Sequence, residues 1–263
     1  MPDARIASVD VRRVTRSSST RDADALVVEE PLEIRVAWGG REKNIAVTMR
    51  TPGDDFDLAA GFLFTEGLIK DCDVTIRHWG SPNVVRVALR DGVELDASKL
   101  DRHFYTTSSC GVCGKTSIDA LRVSAAPLEP KRPDAEVIHR LPRLLEEGQS
   151  SFRQTGGLHG AAIFDERGEL LVVREDIGRH NAVDKAVGAL FREGKRGDIL
   201  MVSSRASFEL VQKAIVARIG VLAAVGAPSS LAVELARDFN LTLLGFVRDN
   251  RFNVYAGDVD ARD

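Results

Sequence analysis

From Gly157 to Tyr255 the chain alternates short apolar runs with stretches of helical spacing, and this most limits what it can fold into. Ala161–Phe164 and Leu170–Val173 flank a turn at Glu166–Gly168, and a helix is predicted over Asn181–Arg192. Ile199–Ser203, Val221–Val225 and Thr242–Val247 read as strands, with helices over Phe208–Ile219 and Leu231–Phe239 between them. Phe252–Tyr255 makes a last short strand. Strands separated by helices of this length imply an α/β fold with a mainly parallel sheet covered on both faces.

Such a sheet binds ligands beyond the carboxyl ends of its strands, where helix N-termini present free N–H groups. Polar, turn-forming residues recur at that edge: Glu175–Asn181, Ser203–Ser207, Ala227–Ser230 and Arg248–Arg251. Three of the four segments carry arginine, so the rim suits a phosphorylated, nucleotide-like ligand. Capping of the helices is the competing explanation, because serine and asparagine do this routinely. Neither phosphate-cradling glycine fingerprint is present. His159 precedes a strand and reads first as a structural group. His180 lies among Asp176, Arg179 and Asn181, as ligand contact or cap.

The first part of the chain reads as a small α+β unit. A short strand is expected near Val9–Thr15, then an exposed loop. Leu26–Trp38 and Asn44–Arg50 form a hairpin through Gly39-Gly40, and Val74–Trp79 with Val84–Leu89 form another. Between them, Phe56, Ala59, Ala60, Leu63 and Phe64 repeat at helical spacing after caps at Thr51–Asp55. Asp54, Asp55 and Glu66 are expected to serve that helix. Ala126–Pro133 holds three prolines and marks a linker, and Ala135–Glu147 reads as a helix.

At 263 residues and 44% hydrophobic content, the chain can bury a core as one large domain or two modest ones. A net charge of −3 without a basic stripe does not imply a nucleic-acid partner. No apolar run approaches the ~20 residues that span a bilayer, and the N-terminus lacks a signal peptide's pattern. The expected location is the cytoplasm. Three cysteines argue against a disulfide framework.

Two of those cysteines, Cys110 and Cys113, stand as C-x-x-C in TTSSCGVCGK, each followed by glycine. Glycine, serine and threonine favour a mobile loop. The residues leave zinc ligation, thiol redox exchange and sulfur relay open. A zinc site would draw further ligands from Cys72 and the histidines, a redox pair would normally open a helix, and a relay thiol would gain from a nearby cation such as Lys115. Cys72 reads as incidental.

Several segments together carry a resemblance: RTPGDDFDLAAGFLFTEG at 50–67, SSCGVCGK at 108–115, TGGLHGAA at 155–162 and REDIGRHNAVDKAVG at 174–188. SSRASFELVQKA at 203–214, GAPSSLAVELA at 226–236 and RFNVYAG at 251–257 complete the set. The chain closely resembles the formate dehydrogenase accessory sulfurtransferase family, FdhD or NarQ, from about residue 26 to 257. The resemblance implies a sulfur carrier that takes persulfide sulfur from a cysteine desulfurase. It passes that sulfur to the molybdenum (or tungsten) bis-guanine-dinucleotide cofactor, a bound substrate, for the formate dehydrogenase catalytic subunit. No permanently bound metal is implied. Cys110 falls on the persulfide carrier and Cys113 on a supporting cysteine. The cofactor stretch falls on Phe246, Val247, Arg248, Asp249, Asn250 and Arg251. The resemblance also implies a homodimer, with a smaller N-terminal α+β domain over 1–105. A mobile cysteine loop and linker covers 106–133, and a cytidine-deaminase-like three-layer domain covers 134–263.

A zinc deaminase on the same scaffold is not supported, because two residues after His159 stands Ala161 rather than the needed glutamate, and no proline leads the C-x-x-C. A non-catalytic molybdenum-cofactor-binding chaperone is the main alternative to the sulfurtransferase, and a zinc-stabilised nucleotide-binding regulator is the third.

Overall fold

The computed structural model describes residues 3–90 and 125–261. Its elements are β1 (Ile6–Val14), β2 (Ser19–Val27), β3 (Glu30–Trp38), β4 (Arg41–Arg50), α1 (Asp55–Thr65), β5 (Val74–His78) and β6 (Val84–Leu89). After the undescribed stretch come α2 (Ala135–Gly148), α3 (Ser150–Thr155), β7 (His159–Phe164), β8 (Leu170–Asp176), α4 (Arg179–Arg192) and β9 (Ile199–Val202). The chain ends with α5 (Phe208–Val216), β10 (Val221–Ala224), α6 (Ser230–Asp238), β11 (Thr242–Arg248) and β12 (Arg251–Ala256).

The larger sheet has the order β12-β11-β10-β9-β7-β8. It is mixed rather than mainly parallel: β9, β10 and β11 run parallel, and the three outer pairings are antiparallel. Connection length explains the difference. A parallel crossover needs a dozen or more residues. β7 and β8 are joined by a tight turn at Asp165–Glu169, and β11 and β12 by Asp249-Asn250 alone, so both pairs must be hairpins.

Side chains alternate across this sheet, as the strand repeat requires. Ala161, Ile163, Leu200, Val202, Leu222 and Leu243 face α4, α5 and α6. Ala162, Phe164, Met201, Ala223 and Leu244 face α2. The layers are therefore helix, sheet, helix. Prolines 127, 130 and 133 do not make a free tether: Leu128 is buried, its N–H bonds Phe239 O at 2.9 Å, and Thr242 Oγ1 donates to Lys131 O at 2.6 Å.

The smaller sheet, β4-β3-β6-β5, is antiparallel except for the β3–β6 pair. Leu32, Ile34, Val36, Val85 and Val87 pack on Leu58, Ala59 and Leu63 of α1. The other side of α1 crosses α4. The crossing is close enough that a Cβ on Gly61 would stand 1.8 Å from Asp184 O, and one on Gly188 1.9 Å from Asp57 O. Only glycine permits backbones to approach that far.

The N-terminal residues depart from expectation. In place of one short strand and a loop, β1 and β2 form a ribbon paired without a break from Ile6↔Val27 to Val14↔Ser19. Both of its faces are largely exposed, so no inside–outside alternation marks it in the sequence. α3 was likewise not expected. Among the described residues no helix is long and apolar enough to cross a membrane.

Candidate functional site

The chain directions gather the four polar segments onto one edge. β9, β10 and β11 end there, at Val202, Ala224 and Arg248. β7 runs opposite to β9, so its first residue, His159, comes to the same edge beside the last residue of β8, Asp176. α4, α5 and α6 all start from this rim, N-capped at Gly178, Ser207 and Ser229. Three helix N-termini on one edge favour an anionic ligand.

The rim is knitted by its own backbone. Ser203 Oγ accepts from Gly160 N at 2.9 Å, Gly226 N donates to Ser204 O at 3.0 Å, and Phe246 N donates to Gly226 O at 3.1 Å. The close approach of β11 to Pro228 and Tyr255 fixes Gly245, where a Cβ would meet both at 2.9 Å.

Phe246 follows with φ of 53° and a side chain 42% exposed. A bulky aromatic in the left-handed region is an outlier costing on the order of 1–3 kcal/mol. The pairing of β11 with β12 slips between Gly245 and Arg248, and this irregularity turns Phe246 outward. Val247 is fully buried against the α2 layer and offers no side chain to the rim. The Arg248 Nη1 atom donates to Val225 O at 2.8 Å and Val247 O at 2.7 Å, which folds its guanidinium along the edge. Asp249, Asn250 and Arg251 are exposed at the hairpin end.

Both rim histidines are pushed toward the neutral form. Burial, aided by Arg179, lowers the His159 pKa against the pull of Asp176. Burial, with Arg179 and Lys213, lowers His180 to about 4 although Glu209 and Glu66 oppose it. Glu209 Oε2 lies 3.9 Å from His180 Nε2.

The polar residues behind the rim do a different job. Asp176 is fully buried, accepts from Thr51 N at 3.1 Å and Gly178 N at 2.9 Å, and pairs with Lys185 Nζ at 2.7 Å. Asn181 Nδ2 donates to Met49 O at 2.8 Å. Lys213 Nζ reaches Asp184 at 2.9 Å, Thr65 Oγ1 at 2.9 Å and Glu66 Oε1 at 3.1 Å. Burial works against that ammonium, but Asp184 and Glu66 outweigh it and raise its pKa. Asp57 binds Arg174 at 2.8 Å and also Arg192, and Asp55 binds Arg50 through both oxygens. Asp54 is the N-cap of α1 and Asp55 stands in its first turn, as expected, while Asp55 and Glu66 also bind Arg50 and Lys213 on other elements; the cluster 174–185 divides between seam and rim. Apolar periodicity carries no trace of these pairs.

Cys110 and Cys113 lie outside the described residues. Among the described residues no group of three or more histidine, cysteine, aspartate or glutamate side chains is arranged to hold a metal ion. Cys72 is an exposed free thiol.

Residues 27–260 match the FdhD/NarQ family. The chain belongs to that family. It is 49% identical to a sulfur carrier protein FdhD of Streptomyces avermitilis, over 94% of this chain and 93% of that one. It is 42% identical to a protein of the same name from Saccharolobus solfataricus, over 95% and 96%. A crystal structure from Desulfotalea psychrophila, described as a candidate formate dehydrogenase accessory protein, superposes with a TM-score of 0.76 over 96% of this chain and 97% of that one. At 23% identity that likeness speaks for the FdhD fold alone.

Proposed function

We propose that this chain is a sulfur carrier for the maturation of a formate dehydrogenase, with Cys110 as the reusable thiol. The carrying observation is near-full-length similarity to proteins named sulfur carrier protein FdhD. In the first step the Cys110 thiolate attacks the terminal sulfur of a cysteine desulfurase persulfide. The donor's S–S bond breaks, the donor leaves as thiolate, and Cys110 holds the new persulfide. In the second step the terminal sulfur passes to the metal of the molybdenum (or tungsten) bis-guanine-dinucleotide substrate. Cys110 keeps the electron pair of the broken S–S bond and returns as thiolate, and the sulfur becomes sulfide with two electrons from the metal. Cys113 supports the persulfide.

The rim supplies what the nucleotide end needs. Phe246 offers an exposed ring to a base, and Arg179, Arg205 and Arg251 with three helix N-termini suit diphosphates. The neutral histidines add hydrogen-bonding groups without added charge. The remaining finer parts of this reading are a cytoplasmic homodimer, divided at about residues 105 and 133, with cytidine-deaminase-like layering of the C-terminal part. The helix–sheet–helix order of that part supports the last of these.

The test is intact mass after incubation with a cysteine desulfurase and cysteine. One sulfur should be gained, removed by reductant, and absent from Cys110→Ala, while that variant keeps its fold and still binds the cofactor. Full sulfuration of the cofactor by Cys110→Ala in a purified system would end the assignment. No sulfur gain with tight cofactor binding would favour a chaperone.

A further inference from the structure

Residues 11–21, VRRVTRSSSTR, hold four arginines and no carboxylate. The fold places this positive stretch at the far end of the β1–β2 ribbon, and Asp10, Asp22 and Asp24 lie nearer the root. Of the four arginines only Arg13 has a carboxylate partner among the described residues, Asp22 at 2.6 Å. Arg12 stands directly opposite Arg21, and like charges in that position destabilise a pair. A two-stranded ribbon is already marginal alone in water. Val14 at the tip is 64% exposed, and both faces are largely in solvent, so the tip packs against no core. A cationic end that costs stability and serves no packing is suited to contact with an anionic partner.

The root of the ribbon stands beside the ligand rim. A Cβ on Gly157, two residues before His159, would meet Val27 Cγ1 at 3.0 Å. The ribbon's chief neighbour among the described elements is α3. The first N–H groups of α3, on Ser151 and Phe152, donate to Glu175 at 3.0 and 2.7 Å, next to Asp176 at the rim. Each strand has nine residues, so the ribbon is about 30 Å long at ~3.4 Å per residue. A stable protein interface takes about 800 Å² from each partner, a patch roughly 30 Å across. A protein that comes to the rim therefore has the reach to meet the tip as well.

We infer that the arginine tip is a docking arm for the formate dehydrogenase catalytic subunit, seated on an acidic surface beside the opening through which that enzyme takes its cofactor. The identity of the client rests on the preceding reading. The client is favoured over the sulfur donor because it must come to the rim for the cofactor, whereas the donor needs only Cys110. Guanidinium pairs with carboxylates through two parallel bonds, and Arg12 with Arg21 presents two such groups side by side. Charges at the edge of an interface act chiefly on the rate of encounter. The ribbon lies almost wholly before residues 27–260, which carry the family match, so the arm is separate from the part that defines the carrier. It does not involve Cys110, and either inference can fail without the other.

The experiment is surface plasmon resonance of the full chain on the cofactor-free catalytic subunit of a formate dehydrogenase from the same organism, at several salt concentrations. One variant reverses the tip (Arg12→Glu, Arg16→Glu, Arg21→Glu) and spares the Arg13–Asp22 pair. A second neutralises the same three positions (Arg12→Gln, Arg16→Gln, Arg21→Gln), and circular dichroism establishes that each folds. Wild-type association should slow as salt rises. Reversal should weaken binding at least about tenfold, mainly through slower association. Neutralisation should cost less and flatten the salt dependence. Sulfur gain from the desulfurase and GDP binding should be unchanged in both variants. A wild type that does not bind the subunit, or folded variants that bind it like wild type, would overturn the inference. So would variants that lose sulfur gain or self-association instead, or a tip that binds duplex DNA as tightly as the subunit. A chain that gains no sulfur yet binds the subunit through its tip would count against the sulfur-carrier reading alone.

Discussion

Gly188→Ala sets two known effects against each other at the α1–α4 crossing. In an exposed helix the change gains ~0.8–1.0 kcal/mol of helix propensity. Here the new Cβ would stand 1.9 Å from Asp57 O and 2.6 Å from Gly61 N. Carbon–oxygen contacts settle near ~3.3 Å, so the helices must part by well over an ångström. Both obstacles are backbone, and no flexible side chain can swing away. Overpacking costs ~1–3 kcal/mol even where side chains can adjust. Separation also stretches the Thr65–Asp184 bond of 2.8 Å and the Arg174–Asp57 pair of 2.8 Å, at ~1 kcal/mol or more for each bond lost. The net expectation is a loss of about 2–3 kcal/mol, or roughly 4–12 °C in melting temperature for a chain of this size. Gly61→Ala should behave alike. The double variant should cost less than the sum, because the first Cβ has already opened the gap for the second. Thermal melts of the four proteins decide the matter. A Gly188→Ala protein that melts at or above wild type would show that the helices are not in backbone contact.

Three further outcomes follow from the same geometry. Lys213→Met leaves Asp184 buried without its cation and should cost about 3–5 kcal/mol; adding Asp184→Leu should recover much of it, and a denaturant midpoint that moves only slightly in the single variant would contradict the pairing. His180 titrates at about 4 in the folded protein against ~6.5 unfolded. The folded state therefore binds fewer protons, and this contribution is full above ~6.5 and lost as pH falls through about 4. His180→Gln should flatten the fall in melting temperature across that window, and parallel curves would refute the depressed pKa. Phe246→Gly relieves the left-handed strain, so stability should hold or rise while GDP affinity measured by calorimetry falls about tenfold or more through loss of a stacking ring; unchanged affinity would remove Phe246 from the site.

The rim was readable in the sequence because a repeating strand–helix pattern has a fixed consequence. Whatever residues follow β8, β9, β10 and β11 must arrive at one edge, and Arg179, Ser203–Ser207, Ala227–Ser230 and Arg248 do so. Strand directions at the sheet margins are readable too, because the two-residue Asp249-Asn250 link and the Asp165–Glu169 turn are too short for a parallel crossover. The buried pairs were not readable. Asp176 with Lys185 and Asp184 with Lys213 look, one residue at a time, like ordinary polar positions, since each pairing partner lies on another element. The ribbon was hidden for the opposite reason: exposed on both faces, it has no core to impose a pattern.

That contrast bears on how the motif at 174–185 works. Its polar residues alternate between two duties from the end of β8 into α4. Arg174, Asp176, Asn181, Asp184 and Lys185 point back into the joint with residues 48–65, while Arg179 and His180 stand at the rim. Asp176 is where the duties meet: its carboxylate holds Gly178 N at 2.9 Å, the residue that caps α4, and Thr51 N at 3.1 Å. The position of Arg179 and His180 at the ligand edge therefore depends on the packing of the N-terminal unit. A substitution at Thr51 or Asp176 should disturb the rim before it unfolds the chain.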